Sequence, residues 1–127
     1  MQSIERIVIE FIPQEQQRYD TCGDWFYEGT TLVLKVSKMA KQTWQQAVAL
    51  HELFEALACN ARGVTQEQVD AFDMGPGKDL DEPGESPLAP YQFEHQCASV
   101  AERLFIAAIG ESWSLYDKSV GDHGCEC

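Results

Sequence analysis

The chain has 127 residues, enough for one domain with a buried core and too few for two of ordinary size. Hydrophobic residues make up 44% and charged ones 24%, the balance of a globular chain, which excludes wholesale disorder. Nine Lys and Arg against 21 Asp and Glu give a net charge of −12, so no basic patch is available to a phosphate backbone and direct nucleic-acid binding is not expected.

No stretch reaches the ~18 uninterrupted apolar residues of a membrane span, and the opening MQSIERIVIE lacks the apolar run of a secretory signal. A cytoplasmic protein without a membrane partner is the expectation. Cys22, Cys59, Cys97, Cys125 and Cys127 are an odd number without such a signal, which points to reduced thiols rather than a disulfide framework.

Residues 4–12, IERIVIEFI, alternate and carry enough Ile, Val and Phe to predict a strand closed by Pro13. After a polar loop, Trp25, Phe26 and Tyr27 lead into the Glu28-Gly29 turn, and TTLVLKV at 30–36 reads as the return strand of a hairpin. From Thr43 the apolar period changes from two to 3.6, predicting a helix over 43–61 with Gly63 near its stop. Thr65 with Gln68 fits a capping box for a short helix through VDAF. MGPGKDLDEPGESPLAP then reads as an exposed loop, followed by a second long helix from about Tyr91 to Ile109, stopped at Gly110. The fold class expected is α+β, a small antiparallel sheet of about three strands packed on two main helices. Residues 1–117 form its single domain and 118–127 a flexible tail. In that tail His123, Cys125 and Cys127 are spaced too tightly for a structural zinc site and read as an incidental cluster whose role the sequence leaves open.

At 100° per residue, the first helix gathers Trp44, Ala47, Val48, Leu50, Phe54, Leu57 and Ala58 into one apolar arc, and His51 and Glu55 fall inside it. The second helix gathers Phe93, Cys97, Ala98, Val100, Ala101, Leu104, Phe105, Ile106, Ala108 and Ile109, with Glu94, His95 and Glu102 inside its arc. Acid and imidazole groups on core-facing stripes cost several kcal/mol each unless something pairs with them. His51 and Glu55 can pair with each other one turn apart, but one metal ion between the helices satisfies both stripes at once. The ligands expected are His51, Glu55 and His95, with Glu94 or Glu102 as alternatives to His95 or as its outer supports, and Asp73 as a further carboxylate within reach.

The run His51-Glu52-Leu53-Phe54-Glu55, preceded by a strand and followed by a helix offering Glu94, His95 and Glu102, resembles the active-site helix of zincin-type metallopeptidases. That family's motif is H-E-x-x-H, two zinc ligands at i and i+4 with the intervening Glu as general base. The resemblance covers residues 30–110 in layout and five residues in motif, and Glu55 stands where the second His would be. It implies a zincin-like domain, Zn2+ or another divalent transition metal as cofactor, Glu52 as catalytic base, and hydrolysis of a peptide or protein substrate laid along an edge strand, here 30–36. A carboxylate in place of the second imidazole acidifies water less, so the same resemblance also admits a catalytically degenerate site. Small phage-encoded proteins with an ALHE-type helix and a VDAFD segment are a second resemblance, which implies no activity.

Two other functions fit parts of the sequence. Glu52-x-x-Glu55 followed by Glu67-x-x-Asp70 resembles the paired acids with which all-alpha nucleoside triphosphate pyrophosphohydrolases hold magnesium, though that family needs basic residues for phosphate and only Lys41 and Arg62 lie near. The charge of −12 could also imitate DNA for a protein partner, but its acids are split between helix stripes and the loop at 79–85.

Overall fold

In the computed structural model, residues 1–122 are described, so His123, Cys125 and Cys127 lie outside the described residues. Three strands, β1 (Arg6–Ile12), β2 (Gly23–Glu28) and β3 (Thr31–Ser37), form one sheet in the order β1-β3-β2. Four helices follow, α1 (Gln42–Arg62), α2 (Gln66–Asp73), α3 (Gln92–Ala108) and α4 (Trp113–Asp122), giving the small α+β fold expected. No helix among the described residues is long and apolar enough to cross a membrane.

The sheet is mixed rather than wholly antiparallel. β2 and β3 form the antiparallel hairpin, turning at Gly29 with φ of 62°, a conformation that glycine adopts without steric cost. β1, however, pairs in parallel with β3, Ile7 opposite Leu32 and Phe11 opposite Val36. The cause is the connection at 13–22, which skips one strand position, so that β1 ends and β2 begins at the same end of the sheet. The hairpin then returns β3 into the vacant middle, where it must run with β1. Bonds from Ser37 N–H to the Cys22 carbonyl (2.7 Å) and from Lys38 N–H to the Ile12 carbonyl (2.8 Å) close that end. TTLVLKV is therefore the central strand, with Leu32, Val33, Leu34 and Val36 buried, and it has no free edge on which to receive a peptide.

Helix α1 packs on β2 and β3, and α3 packs on α1. The α1 helix ends at Gly63 in the left-handed conformation, and α2 starts with the capping box, Gln68 N–H to Thr65 Oγ1 at 3.2 Å and Thr65 N–H to Gln68 Oε1 at 2.9 Å. Helix α4 extends to Asp122, past the boundary placed at 117, because buried Tyr116 and half-buried Val120 anchor it to the core. The apolar core is split in two. One cluster gathers Trp25, Leu34, Ala56, Cys59, Phe72 and Tyr91, the other Cys22, Val36, Val48, Ile106 and Tyr116. On α1 the stretch between the two clusters holds His51, Glu52 and Glu55, all buried.

The apolar arcs expected on the two long helices are buried only in part, along the edge that carries Ala47, Val48, His51 and Glu55 on α1 and Glu94, His95, Ala98 and Ile106 on α3. Leu50, Phe54, Leu57, Phe93, Val100 and Leu104 are exposed, and the inward faces carry Ala47, Val48, His51, Glu52, Glu55 and Cys59 on α1, and Glu94, His95, Ala98 and Ile106 on α3. Acid and imidazole groups that pair with one another occupy the interface, and the large apolar side chains stand about 100° around α1 and on the far side of α3. Cys59 and Cys97 are free thiols as expected, whereas Cys22 is disulfide-bonded.

Candidate metal centre

His51 and Glu55 lie one turn apart on α1, and α3 runs antiparallel beside them, bringing in His95. Glu55 Oε2 stands 3.3 Å from His51 Nε2 and 3.1 Å from His95 Nδ1, and the two rings meet edge to face with centroids 4.8 Å apart. The donor atoms of the three residues all lie within 4.8 Å of one another, and all three residues are buried. Each is held from behind. Glu102 Oε1 sits 2.8 Å from His51 Nδ1, the Trp25 indole N–H donates to Glu55 Oε1 at 3.1 Å, and Glu85 Oε1 approaches His95 Nε2 at 3.4 Å. Glu102 is fixed in turn by the Tyr116 hydroxyl, which donates to its Oε2. Outer partners of this kind set the tautomer and orientation of ligating side chains.

Burial opposes charge on His51, but the hydrogen bond to Glu102, the approach of Glu55 and the nearby carboxylates outweigh it and hold the imidazole well above its ordinary pKa. For Glu55, burial pushes upward, and the two histidines more than reverse it, bringing the carboxyl down to about 2. One atom is left over. His51 Nε2 is buried with no hydrogen-bond partner among the described residues, since the 3.3 Å approach of Glu55 is close enough for attraction but not aligned as a hydrogen bond.

Glu52, next to His51, is buried and borders a cavity of about 380 Å³ that also reaches Glu55, His95, Tyr91 and Asp73. Its carboxyl makes no hydrogen bond to the described residues, and burial together with the charge of Glu55 pushes its pKa well up. Gly23 at the start of β2 makes this placement possible, since a Cβ there would lie 2.5 Å from Glu52 Cγ. Gly84 does the same for His95, a Cβ at that position falling 2.4 Å from the ring. A second cavity, about 200 Å³, opens on the other side of His51 and is lined by Glu85, Glu102 and Tyr116.

Of the remaining site residues expected from sequence, Glu102 supports His51, but Glu94 and Asp73 do not touch the histidines. Glu94 lies 3.5 Å from Arg62 Nε at the far end of α1, because it precedes His95 by one residue and points 100° away from it. Asp73 accepts from the Tyr91 hydroxyl and, at 3.1 Å, from the Tyr19 hydroxyl, forming a wall of the cavity. Sequence reasoning missed Glu85, Tyr91 and the two glycines. Glu85 sits in a single 3-10 turn at Pro83–Glu85 inside an acid-rich loop, where nothing in the composition separates it from its neighbours. Compared with protein-family models, curated proteins and solved structures, the chain matches none.

Proposed function

We propose that the protein is a zincin-like metal-dependent hydrolase, with His51, Glu55 and His95 as ligands of Zn2+ or another divalent transition ion and Glu52 as the general base. The observation that carries this reading is the convergence of two imidazoles and one carboxylate from α1 and α3, with His51 Nε2 buried and in no hydrogen bond to the described residues. Two nitrogens and an oxygen form a donor set suited to zinc, with a fourth position left for water or substrate. When bound, the ion supplies a Lewis acid that lowers the pKa of a water molecule. Trp25 and Glu102 restrain Glu55 and His51 from behind, which limits how far these ligands move in closing on an ion. Glu52 offers a desolvated carboxylate at the wall of the larger cavity, and its raised pKa suits a group that takes up a proton and later returns it.

Peptide-bond hydrolysis is the activity the HELFE run implies by resemblance. The cavity beside Glu52 accommodates a side chain and a short stretch of backbone. Neither strand beside it is a simple open edge, since β3 is central and the outward Tyr27 N–H of β2 is occupied by Gln66 Oε1 at 2.9 Å. The magnesium-pyrophosphohydrolase alternative has less support, because Glu67 is exposed on α2 and Asp70 holds Arg18 at 3.1 Å rather than joining Glu52 and Glu55. The DNA-imitation alternative loses Glu52, Glu55 and Glu94, which are buried.

The test is elemental analysis of the zinc-supplemented full chain, paired with hydrolysis of a peptide library. About one ion per chain is expected for the parent and for Glu52→Gln, with turnover of the variant reduced ~100-fold or more, and His51→Ala should lower metal affinity at least ~10-fold. A supplemented chain that stays empty, or a Glu52→Gln variant as active as the parent, refutes the proposal.

A further inference from the structure

The cavity of about 380 Å³ beside the metal centre is bounded, besides α1 and α3, by residues from 19–23 and 73–83. Its walls are acidic. Asp20, Asp73 and Asp79 line it together with Glu52 and Glu55, against one lysine, Lys78, and no arginine among the described residues. Arg18 is already engaged by Asp24 at 2.7 Å and Asp70 at 3.1 Å. Burial, and after it the charge of Asp73, raises the pKa of both Tyr19 and Tyr91, so these two rings of the wall stand in a negative field.

Those aspartates do not form an ion site. His51, Glu55 and His95 are the one group among the described residues whose donor atoms come together closely enough to hold an ion. Asp73 is kept instead on the Tyr19 and Tyr91 hydroxyls, and Asp20 and Asp79 are exposed. Apolar surface lines the same space, with Met74 and Leu80 43% and 45% exposed. Glu52 gives an independent sign of a ligand. It is 4% exposed and borders the cavity, and its carboxyl makes no hydrogen bond to the described residues, the state of a polar group that a bound molecule completes.

Resting on the hydrolase reading, we propose that this cavity takes the basic side chain of a lysine or arginine next to the scissile peptide bond, with Asp73 receiving its cationic head. Tyr91 sets the reach. Its ring lies 6.3 Å from the His95 ring between centroids and its hydroxyl donates to Asp73, so the carboxylate stands one tyrosine side chain away from the metal ligands. A lysine or arginine spans such a gap, its methylene stem along Met74 and Leu80 and its head at the acid. Asp73 has capacity for it. Oδ1 accepts from Tyr91 and Oδ2 from Tyr19, which leaves about two of the roughly four acceptor sites of a carboxylate. With its pKa at about 6, Asp73 is ionised at neutral pH. An acidic side chain would meet like charge here, and a wholly apolar one would leave the acids desolvated without a partner.

Calorimetric titration of the zinc-supplemented full chain carrying Glu52→Gln, at neutral pH, tests this with three end-blocked pentapeptides of alanine. The central residue is arginine, its neutral isostere citrulline, or glutamate. The arginine peptide is expected to bind ~10-fold or more tightly than the citrulline one, as a charge-assisted hydrogen bond does, and the glutamate peptide more weakly than either. Adding Asp73→Asn should shrink the arginine preference to ~3-fold or less, and Asp79→Asn, an exposed change that leaves the fold intact, should narrow it in part. An arginine peptide that binds no better than the citrulline one, or not at all, overturns the inference, as does a preference that survives both substitutions. Cleavage of the same peptides by the parent is read separately. Cleavage indifferent to the arginine overturns the inference and leaves the hydrolase standing, whereas an arginine preference in binding with no cleavage of any peptide supports the cationic cavity and counts against the hydrolase.

Discussion

Gly84→Ala isolates the contact that fixes His95. Gly84 is buried in the turn before α3, and an added methyl would meet His95 Cγ and Nδ1 at 2.4 Å and Cε1 at 2.8 Å, about 1 Å inside an ordinary contact. The ring cannot swing freely away, because His51 packs against it at 4.8 Å and Tyr91 at 6.3 Å between centroids. Overpacking of this kind costs ~1–3 kcal/mol. A displacement of the imidazole by about 1 Å should also lower metal affinity ~10–100-fold, as loss of an outer support does. The assay is a double-mutant cycle in urea on metal-free protein. Gly84→Ala should cost ~1–3 kcal/mol in the parent and close to nothing in a His95→Ala background, where the opposing ring is gone, so the coupling energy should equal most of the single-mutant cost. Additive effects, or a Gly84→Ala cost below ~0.5 kcal/mol, would refute the claim that the turn presses on the ring.

Two further outcomes follow from the walls of the site. Burial outweighs the Tyr91 and Tyr19 hydrogen bonds at Asp73 and pushes its pKa from 3.8 to about 6. The unfolded chain therefore ionises first, and folding stability should fall as pH rises from about 4 to 6, by ~2–3 kcal/mol from this residue. Asp73→Asn should remove that part of the slope in urea titrations across the window, and an unchanged slope would contradict it. Trp25→Phe should destabilise the protein by ~1–3 kcal/mol by leaving Glu55 Oε1 buried without its donor, checked by thermal and urea unfolding.

The α+β class, the hairpin, the capping box and the His51-Glu55 pair were all legible because each rests on residues within about seven positions of one another. The parallel pairing of β1 was not, since it depends on where the connection at 13–22 crosses, which no local pattern encodes. The helical wheel drew the inward faces too wide for a related reason. Leucine and phenylalanine mark a buried stripe only when nothing else fills the interface, and here Glu102, Glu55 and the two histidines fill it by satisfying one another across 51 and 40 residues of sequence. The burial of Glu52 had no signal within α1 either, since it depends on the absence of a side chain at Gly23, 29 residues earlier, which opens the space.

The position of β3 in the sheet also orders events during folding. The β2-β3 hairpin and α1 are contiguous in sequence and bury Leu34 and Trp25 against Ala56 and Cys59, so they can collapse together early. β1 comes first in the chain but must wait for β3 to exist before it has an edge to pair with, and its own Ile7, Ile9 and Phe11 remain exposed once it docks. The strand that precedes the hairpin in sequence is thus the last of the three to be secured. It is also the first that can peel off, leaving the hairpin and its helices standing.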